Sequence, residues 1–376
     1  MRVIHMDWQL RTSDGDVIGD YLYFSNNAFN GLFRMDLAHH DAELVGFFPD
    51  EEIDRWAMHK KCIRYEDKLV FLPLLGSHIH IFDSATGNFT TIDVAAWDGF
   101  EKNEVRVSDA VLIDDMVYIF PVRYSGSLYC LNMNSFFLDE IYEFKEQMRA
   151  YSKNVDDIAI TRVEKDKYGN ICFAILGTNI LAVWDVENKK LGIDKCEVDN
   201  LFSTHLIDDE QWFFKRSGSD IYKLDGDKNI ERIAFATKKN DDVRYYNRLI
   251  SFYGKIIALP AFYDFVACID EKRLHDLVRI DAPKTENESA ITFEVVEVYG
   301  KLWILPYLSE YAYVLDKDLR LIDKVSFELT DDVSKIRVLR KFNSVITRKA
   351  FESERLLCES ENNSLDDILC YLTEEI

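Results

Sequence analysis

A short apolar strand that ends in Asp or Asn recurs along this chain of 376 residues. The seven polar residues that end these strands are Asp36, Asp83, Asn132, Asp185, Asp225, Asp270 and Asp316. They lie 40 to 53 residues apart, about 47 on average. Repeats of this length stack on one another to bury a shared core, so the repeat outweighs the chain length, which alone suggests two or three domains.

Each unit contains further features at fixed distances before the Asp. In four units an apolar strand ends in Pro73, Pro121, Pro260 or Pro306, where the missing N–H of proline is tolerated. A two-residue polar turn precedes that strand, as in a hairpin. Each unit is therefore predicted to contain strand A, a hairpin, strand B, a loop, strand C ending in the Asp, and strand D. The Asp is predicted to begin the C–D turn by accepting a hydrogen bond from the backbone two residues on.

Four strands per repeat at this period predict an all-β, single-domain β-propeller of four-stranded antiparallel blades. The chain resembles WD40-like and kelch-like propellers in a generic way. Trp184-Asp185 is similar to the mark of WD40 repeats, whereas the chain has no Gly-Gly pair of the kelch type and no Asp-box of the sialidase type. The resemblance is thus to divergent β-propellers and to no specific family.

Eight in-phase units are predicted if the chain beyond Asp316 forms another repeat. Its strand A would run from Ile336 to Arg340, and a strand C near 356–358 would lead to Ser360. The propeller domain would then span 1–376, the N-terminal strand 1–10 would close the ring, and residues 364–372 would form a short helix. The alternative is seven blades with a C-terminal extension packed outside the ring.

The net charge of −22 argues against nucleic acid and anionic membranes as partners. The N-terminus lacks a secretory pattern and no segment reaches the length of a transmembrane helix. The seven scattered cysteines include no CxxC pair, which favours a reducing cytoplasm. No cofactor is predicted. His78 and His80 share a strand face, but no third ligand can be named, so no metal site is predicted.

The candidate site residues lie where the D–A and B–C loops share one face of a propeller. Aromatic and charged residues in or beside the B–C loops form a candidate recognition surface: Arg123, Tyr124, Lys215, Arg216, Tyr263, Asp264 and Tyr307. On the strands that line the channel, Lys60, Arg248 and Arg337 form a candidate spot for an anion. Among the D–A connections, residues 143–151 are predicted to form a short helix that serves as a lid or covers apolar surface.

The leading hypothesis is a non-enzymatic module that binds a protein or peptide partner on this loop face. It rests on the rigid scaffold, the aromatic loops and the lack of a phosphate cradle or nucleophile elbow in the sequence. The alternative is a ligand-binding protein, or a lyase- or hydrolase-type enzyme, that takes an acidic or carbohydrate ligand at the channel mouth. The sequence identifies neither the partner nor the oligomeric state.

Overall fold

A computed structural model describes residues 8–12, 14–94, 107–121, 127–151, 158–225, 229–235, 242–270, 273–280, 293–306 and 310–344. Within these ranges 28 strands form seven blades of four antiparallel strands, numbered 1 to 7 along the chain. The strands of each blade pair in chain order, so that a blade is a simple meander. The predicted all-β propeller with four-stranded blades is confirmed.

The first strands of the blades are β1 Gly15–Ile18, β5 His59–Tyr65, β9 Val107–Ile113, β13 Ile160–Lys165, β17 Leu201–Ile207, β21 Tyr246–Phe252 and β25 Phe293–Val298. The second are β2 Tyr21–Ser25, β6 Lys68–Pro73, β10 Met116–Pro121, β14 Ile171–Ile175, β18 Glu210–Lys215, β22 Lys255–Pro260 and β26 Lys301–Pro306. The third are β3 Leu32–Asp36, β7 His78–Asp83, β11 Tyr129–Asn132, β15 Ile180–Asp185, β19 Ile221–Leu224, β23 Phe265–Asp270 and β27 Tyr311–Leu315. The fourth are β4 Ala42–Gly46, β8 Asn88–Asp93, β12 Leu138–Glu140, β16 Lys190–Lys195, β20 Ile230–Phe235, β24 Arg273–Arg279 and β28 Leu321–Ser326.

The first strands stand side by side around the centre of the ring, and β1 of blade 1 contacts both β5 and β25. Apolar side chains fill the spaces between blades. One such cluster joins Phe24 and Phe33 of blade 1 to Trp303 and Val314 of blade 7, so the last blade packs against the first. Blades 5 and 6 are also joined at their outer edges, where β20 and β24 pair in parallel.

The repeated Asp has the role that the sequence predicts. Asp36 Oδ1 accepts hydrogen bonds from the backbone N–H of Ala38 and His39, both at 2.8 Å. In blade 2 the same atom of Asp83 accepts from Ala85 at 3.0 Å and from Thr86 at 2.9 Å. Backbone hydrogen bonds lower the pKa of both carboxyls. The recurring carboxylate is therefore a turn-forming group.

The predicted strand A of an eighth unit is wrong. Residues 332–344 form a helix, α2, that includes Ile336 to Arg340. This helix packs on blade 1, where Val338 is fully buried in the apolar cluster shared with blade 7. The described residues thus form seven blades followed by a helix that packs on the ring. The predicted strand at 356–358 and helix at 364–372 lie outside the described residues.

The N-terminal segment lies between the first and last blades. Leu10 N–H donates to the carbonyl of Phe327 at 2.7 Å, and Leu329 N–H donates to the carbonyl of Trp8 at 3.0 Å. Leu10 is 1% exposed in the cluster that joins these blades. Residues 1–7 lie outside the described residues, so closure of the ring by the whole segment 1–10 stays a prediction.

Most first strands carry a β-bulge near their beginning. In blades 2 to 6 the register against the second strand shifts there, for example between His59 and Lys61 and between Tyr246 and Arg248. An extra residue on one strand redirects the side chains that follow it. At these shifts the pairing with the second strand passes over one residue of the first strand, such as Lys60 or Asn247.

The only α-helix between blades in the described part of the chain is α1, Tyr142–Tyr151, as the sequence predicts. Its buried residues Phe144 and Met148 pack between blades 3 and 4, so the helix covers apolar surface. No helix among the described residues is both long enough and apolar enough to cross a membrane.

Candidate functional site

Charged side chains from six blades meet at the centre of the ring. They are Asp14, Lys61, Asp109, Arg162, Arg248 and Glu294, hereafter the axial network. Lys61 Nζ lies 3.9 Å from Asp14, 3.7 Å from Asp109 and 3.5 Å from Glu294. These partners come from blades 1, 3 and 7, so the ammonium group of Lys61 interacts with carboxyl groups of three other blades.

Glu294 is the centre of this network. Its Oε1 accepts from Arg162 Nη2 at 2.6 Å, and its Oε2 accepts from Arg248 and lies 3.5 Å from Lys61 Nζ. Burial acts to raise the pKa of this carboxyl, but the cations of Arg162, Lys61 and Arg248 hold it well below its ordinary value. Glu294 is thus an ionised group that pairs with cations from three other blades.

The pKa of Asp14 is shifted in the opposite direction to that of Glu294. Burial, with a smaller contribution from the charge of Glu294, raises the pKa of Asp14 to about 7, although Lys61 opposes the shift. Its side chain accepts backbone hydrogen bonds from Gly15 and Cys62, both at 2.8 Å. The native state therefore holds a proton here between about pH 4 and 7 that the unfolded chain has lost, and stability falls as pH rises through that window.

Replacing Asp14 by Asn is expected to remove this pH dependence. Between pH 5 and pH 8 the free energy of unfolding of the variant, relative to the wild type, should rise by at most about 3 kcal/mol. Urea unfolding at several pH values measures it. Asp36→Asn is the control, because the lowered pKa of Asp36 predicts no such change over this range. Parallel profiles for the wild type and Asp14→Asn would contradict the assignment.

The three residues of the predicted anion spot do not come together at the axis. Arg248 is already paired with Glu294 in the axial network. Burial and the neighbouring Arg162 lower the pKa of Lys60 to about 8, so this amine lies beside the network. Arg337 lies elsewhere, on helix α2, where it donates to the backbone carbonyl of Leu44 at 2.9 Å. Arg337 is separated from Lys60 and Arg248 because α2 replaces the predicted eighth first strand.

Next to the network, Ser203, His205 and Glu164 form a chain. Ser203 Oγ lies 2.9 Å from His205 Nε2, and His205 Nδ1 lies 3.2 Å from Glu164 Oε1. A hydroxyl, an imidazole and a carboxylate in this order can activate a nucleophile. Ser203 and His205 are 0% and 1% exposed, and His205 stacks on Phe214. The Ser203 hydroxyl is therefore enclosed by protein, and these hydrogen bonds satisfy the buried polar groups of Ser203 and His205.

Two arginines lie between blades 5 and 6 on the loop face: Arg216, which is exposed, and Arg244, which is half-buried. Arg216 follows β18 and Arg244 precedes β21, and the two loops are joined where Gly218 N–H donates to Val243 at 2.8 Å. Burial, and then the charge of Arg216, lower the pKa of Arg244 to about 10. Neither guanidinium forms an ion pair within the described ranges.

Aromatic rings hold Arg244 in place. Its Cζ lies 4.0 Å from the ring centroid of Phe202 and 5.3 Å from that of Phe262, which is 41% exposed. Beside it, the ring of Tyr263 packs 4.9 Å from Tyr245, and the Tyr263 hydroxyl donates to Asp276 at 2.7 Å. An arginine fixed between aromatic rings keeps its charge in a defined orientation. The arginine patch, as the term is used below, consists of Arg216, Arg244, Phe202, Phe262 and Tyr263.

The remaining predicted site residues divide into two sets. Asp264 lies 3.9 Å from Arg279, and Lys215 lies 3.1 Å from Asp199, so both are paired at the edges of the patch. Arg123, Tyr124 and Tyr307 lie outside the described residues. Sequence reasoning selected Arg216 and Tyr263 but missed Arg244, which ends one of the long D–A connections.

Between blades 1 and 2, three side chains form a buried hydrogen-bonded chain. Ser25 Oγ lies 2.8 Å from His59 Nδ1, His59 Nε2 lies 2.9 Å from His80 Nδ1, and His80 Nε2 lies 2.9 Å from the carbonyl of Pro49. Because a carbonyl only accepts, His80 Nε2 carries the proton, which fixes the tautomers along the chain. Burial lowers the pKa of His80 to about 4, so the rings are neutral.

Solved structures with similar folds are β-propeller proteins of unrelated sequence. A streptogramin B lyase matches with a TM-score of 0.54 at 11% identity, covering 74% of this chain and 85% of the lyase. KlHsv2 with loop 6CD replaced by a Gly-Ser linker matches at 0.53 and 10% identity, over 85% and 99%. A chain of the mitotic checkpoint complex matches at 0.52 and 9% identity, over 86% and 88%. No protein-family model and no curated protein sequence matches the chain. The chain is thus a divergent β-propeller.

Proposed function

We propose that this protein is a binding module, and that its loop face holds an acidic peptide segment of a partner protein at the arginine patch. The observation that carries the proposal is the pair Arg216 and Arg244, two cations without a carboxylate partner in the described ranges of a chain of net charge −22. Solved propellers with this fold include a lyase and a member of a protein complex, so the fold leaves the choice open.

The chemistry of the patch favours a peptide carboxylate. Guanidinium groups match carboxylates in two-point hydrogen bonds, and the exposed ring of Phe262 offers apolar contact beside them. Aromatic and Arg residues are the groups that most often dominate binding free energy at protein interfaces. The channel-mouth enzyme has weaker support, because Arg162 and Arg248 are already paired with Glu294 and Ser203 is fully enclosed.

The test uses two pools of fluorescent octapeptides, one rich in Asp and Glu and the other carrying Asn and Gln at the same positions. Fluorescence anisotropy is measured at about 0.15 M salt, where long-range repulsion from the acidic protein is screened. The wild type is expected to bind the acidic pool more tightly. Arg244→Met should weaken that binding at least about tenfold, because a charged hydrogen bond contributes about 1.5–3 kcal/mol.

Arg34→Met is the matched control. Arg34 also stacks on an aromatic ring, with Cζ 4.6 Å from the Tyr21 centroid, but its guanidinium is already paired with Glu43 at 2.5 Å. Arg34→Met also removes one positive charge and one arginine–aromatic contact, but it leaves the arginine patch unchanged. Binding of the acidic pool should therefore be unchanged. Equal binding of the two pools by the wild type, or an equal loss in both variants, would overturn the proposal.

A further inference from the structure

The D–A connection between blades 1 and 2 brings a carboxylate to the two histidines of strand β7. Glu51 Oε1 lies 3.1 Å from His78 Nδ1, and one ligand atom each of Glu51, His78 and His80 lie within 4.8 Å of one another. The side chain of Glu51 is 3% exposed, that of His78 is 16% exposed, and His80 is fully buried. This third ligand comes from the connection that precedes blade 2, 27 residues before His78, which is why the sequence alone did not reveal it.

We propose that Glu51, His78 and His80 form a binding site for one divalent transition-metal ion, with Zn²⁺ the best candidate. The carbonyl oxygen of Pro49, 2.9 Å from His80 Nε2, supplies a fourth ligand. Two imidazoles with a carboxylate suit zinc, whereas magnesium and calcium prefer oxygen ligands alone.

The present distances are close to those of a metal site. Ligand atoms about 2.1 Å from a tetrahedral ion lie about 3.4 Å from one another. The Glu51–His78 separation of 3.1 Å and the limit of 4.8 Å for the group bracket this value. Small rotations of the side chains therefore suffice to admit the ion.

The neighbouring groups can support a metal-bound His80 without losing their hydrogen bonds. If Nε2 of His80 binds the ion, its proton must move to Nδ1, which then donates to His59 Nε2. The proton of His59 moves to Nδ1 and donates to Ser25 Oγ, which can accept as well as donate. The number of protons on each ring is unchanged, and the contact of His80 with Pro49 becomes a shared bond to the ion.

Glu51 is also oriented for this role. Its Oε2 lies 3.6 Å from Arg55 Nε, while Oε1 faces His78 and accepts from the backbone N–H of Ser77. A carboxylate held by an arginine on one oxygen can offer the other to a cation. The partly exposed His78 marks the side from which the ion enters.

The test is a titration of the chelator-treated full-length protein with Co²⁺, read by visible d–d absorption, followed by displacement with Zn²⁺. One equivalent of Co²⁺ should give the intense bands of a four- or five-coordinate site, and Zn²⁺ should abolish them and raise the melting temperature. His78→Gln and, as an independent variant, Glu51→Gln should each weaken Co²⁺ binding at least about tenfold.

His39→Gln is the matched control. His39 Nδ1 also lies 3.1 Å from a carboxylate, that of Asp36, but its side chain is 76% exposed and the described residues place no third ligand there. Co²⁺ binding should be unaffected by this change. A wild type without d–d bands, an equal loss in His39→Gln, or a sulfur-to-cobalt charge-transfer band that reveals cysteine ligands would each overturn the proposal.

Discussion

Replacing Glu294 by Gln is expected to lower the free energy of unfolding by about 3–5 kcal/mol. The change keeps the shape of the side chain but removes the charge that neutralises Lys61, Arg162 and Arg248. Arg162 is 5% exposed, so water cannot replace the lost carboxylate. Urea unfolding monitored by tryptophan fluorescence measures the change.

The matched control is Glu310→Gln. Glu310 pairs with Arg11 at 2.9 Å, but these side chains are 29% and 46% exposed, so the loss should stay below about 1 kcal/mol. Adding Arg248→Met to Glu294→Gln removes one of the orphaned cations and should restore part of the stability. Similar losses at Glu294 and Glu310 would show that the axial network contributes no more than a surface ion pair.

Phe144→Ala is expected to destabilise the protein by about 3–5 kcal/mol. The Phe144 ring is fully buried on helix α1 and packs against Phe120, Phe173 and Trp184, with ring centroids 5.3 to 5.8 Å apart. Truncation leaves a cavity between blades 3 and 4 that the rigid sheets cannot close. The same urea experiment measures the loss.

Tyr142→Ala provides the comparison on the same helix. Its ring is 64% exposed, so its removal should change the free energy of unfolding by no more than about 0.5 kcal/mol. The difference between the two variants tests whether α1 covers apolar surface or is a detachable lid. A small effect of Phe144→Ala would favour the lid.

The arginine patch lies at the junction of blades 5 and 6, and the Glu51–His78–His80 group lies at the junction of blades 1 and 2. Each group includes one residue from a D–A connection. Arg244 lies just before β21, and Glu51 lies before β5. Variants at one group should therefore leave the other intact, and the binding and metal experiments are independent of each other.

The positions along the first strands show how far sequence reasoning reaches. Counting back from the hairpin turns predicts that Arg248 faces the axis, and it belongs to the axial network. In blade 2 the same count selects Lys60, whereas Lys61 makes the ion pairs. Lys61 and Arg248 each lie four residues before the end of their strand. The count misses Lys61 because the hairpin of blade 6 turns at residues 253–254, one residue earlier than the polar pair Gly254-Lys255 indicates, whereas the hairpin of blade 2 turns at Glu66-Asp67.

Local hydrogen bonding and apolar periodicity are encoded in short stretches of sequence. They determined the four-stranded repeat, the turn-forming Asp36 and its equivalents, and the helix that contains Phe144, because each depends on neighbours within a few residues. The tertiary structure alone decided that residues 336–340 are helical, that Arg244 stands beside Arg216, and that Glu51 reaches His78. These outcomes depend on the packing of one blade against another, and that packing brings together residues distant in the chain.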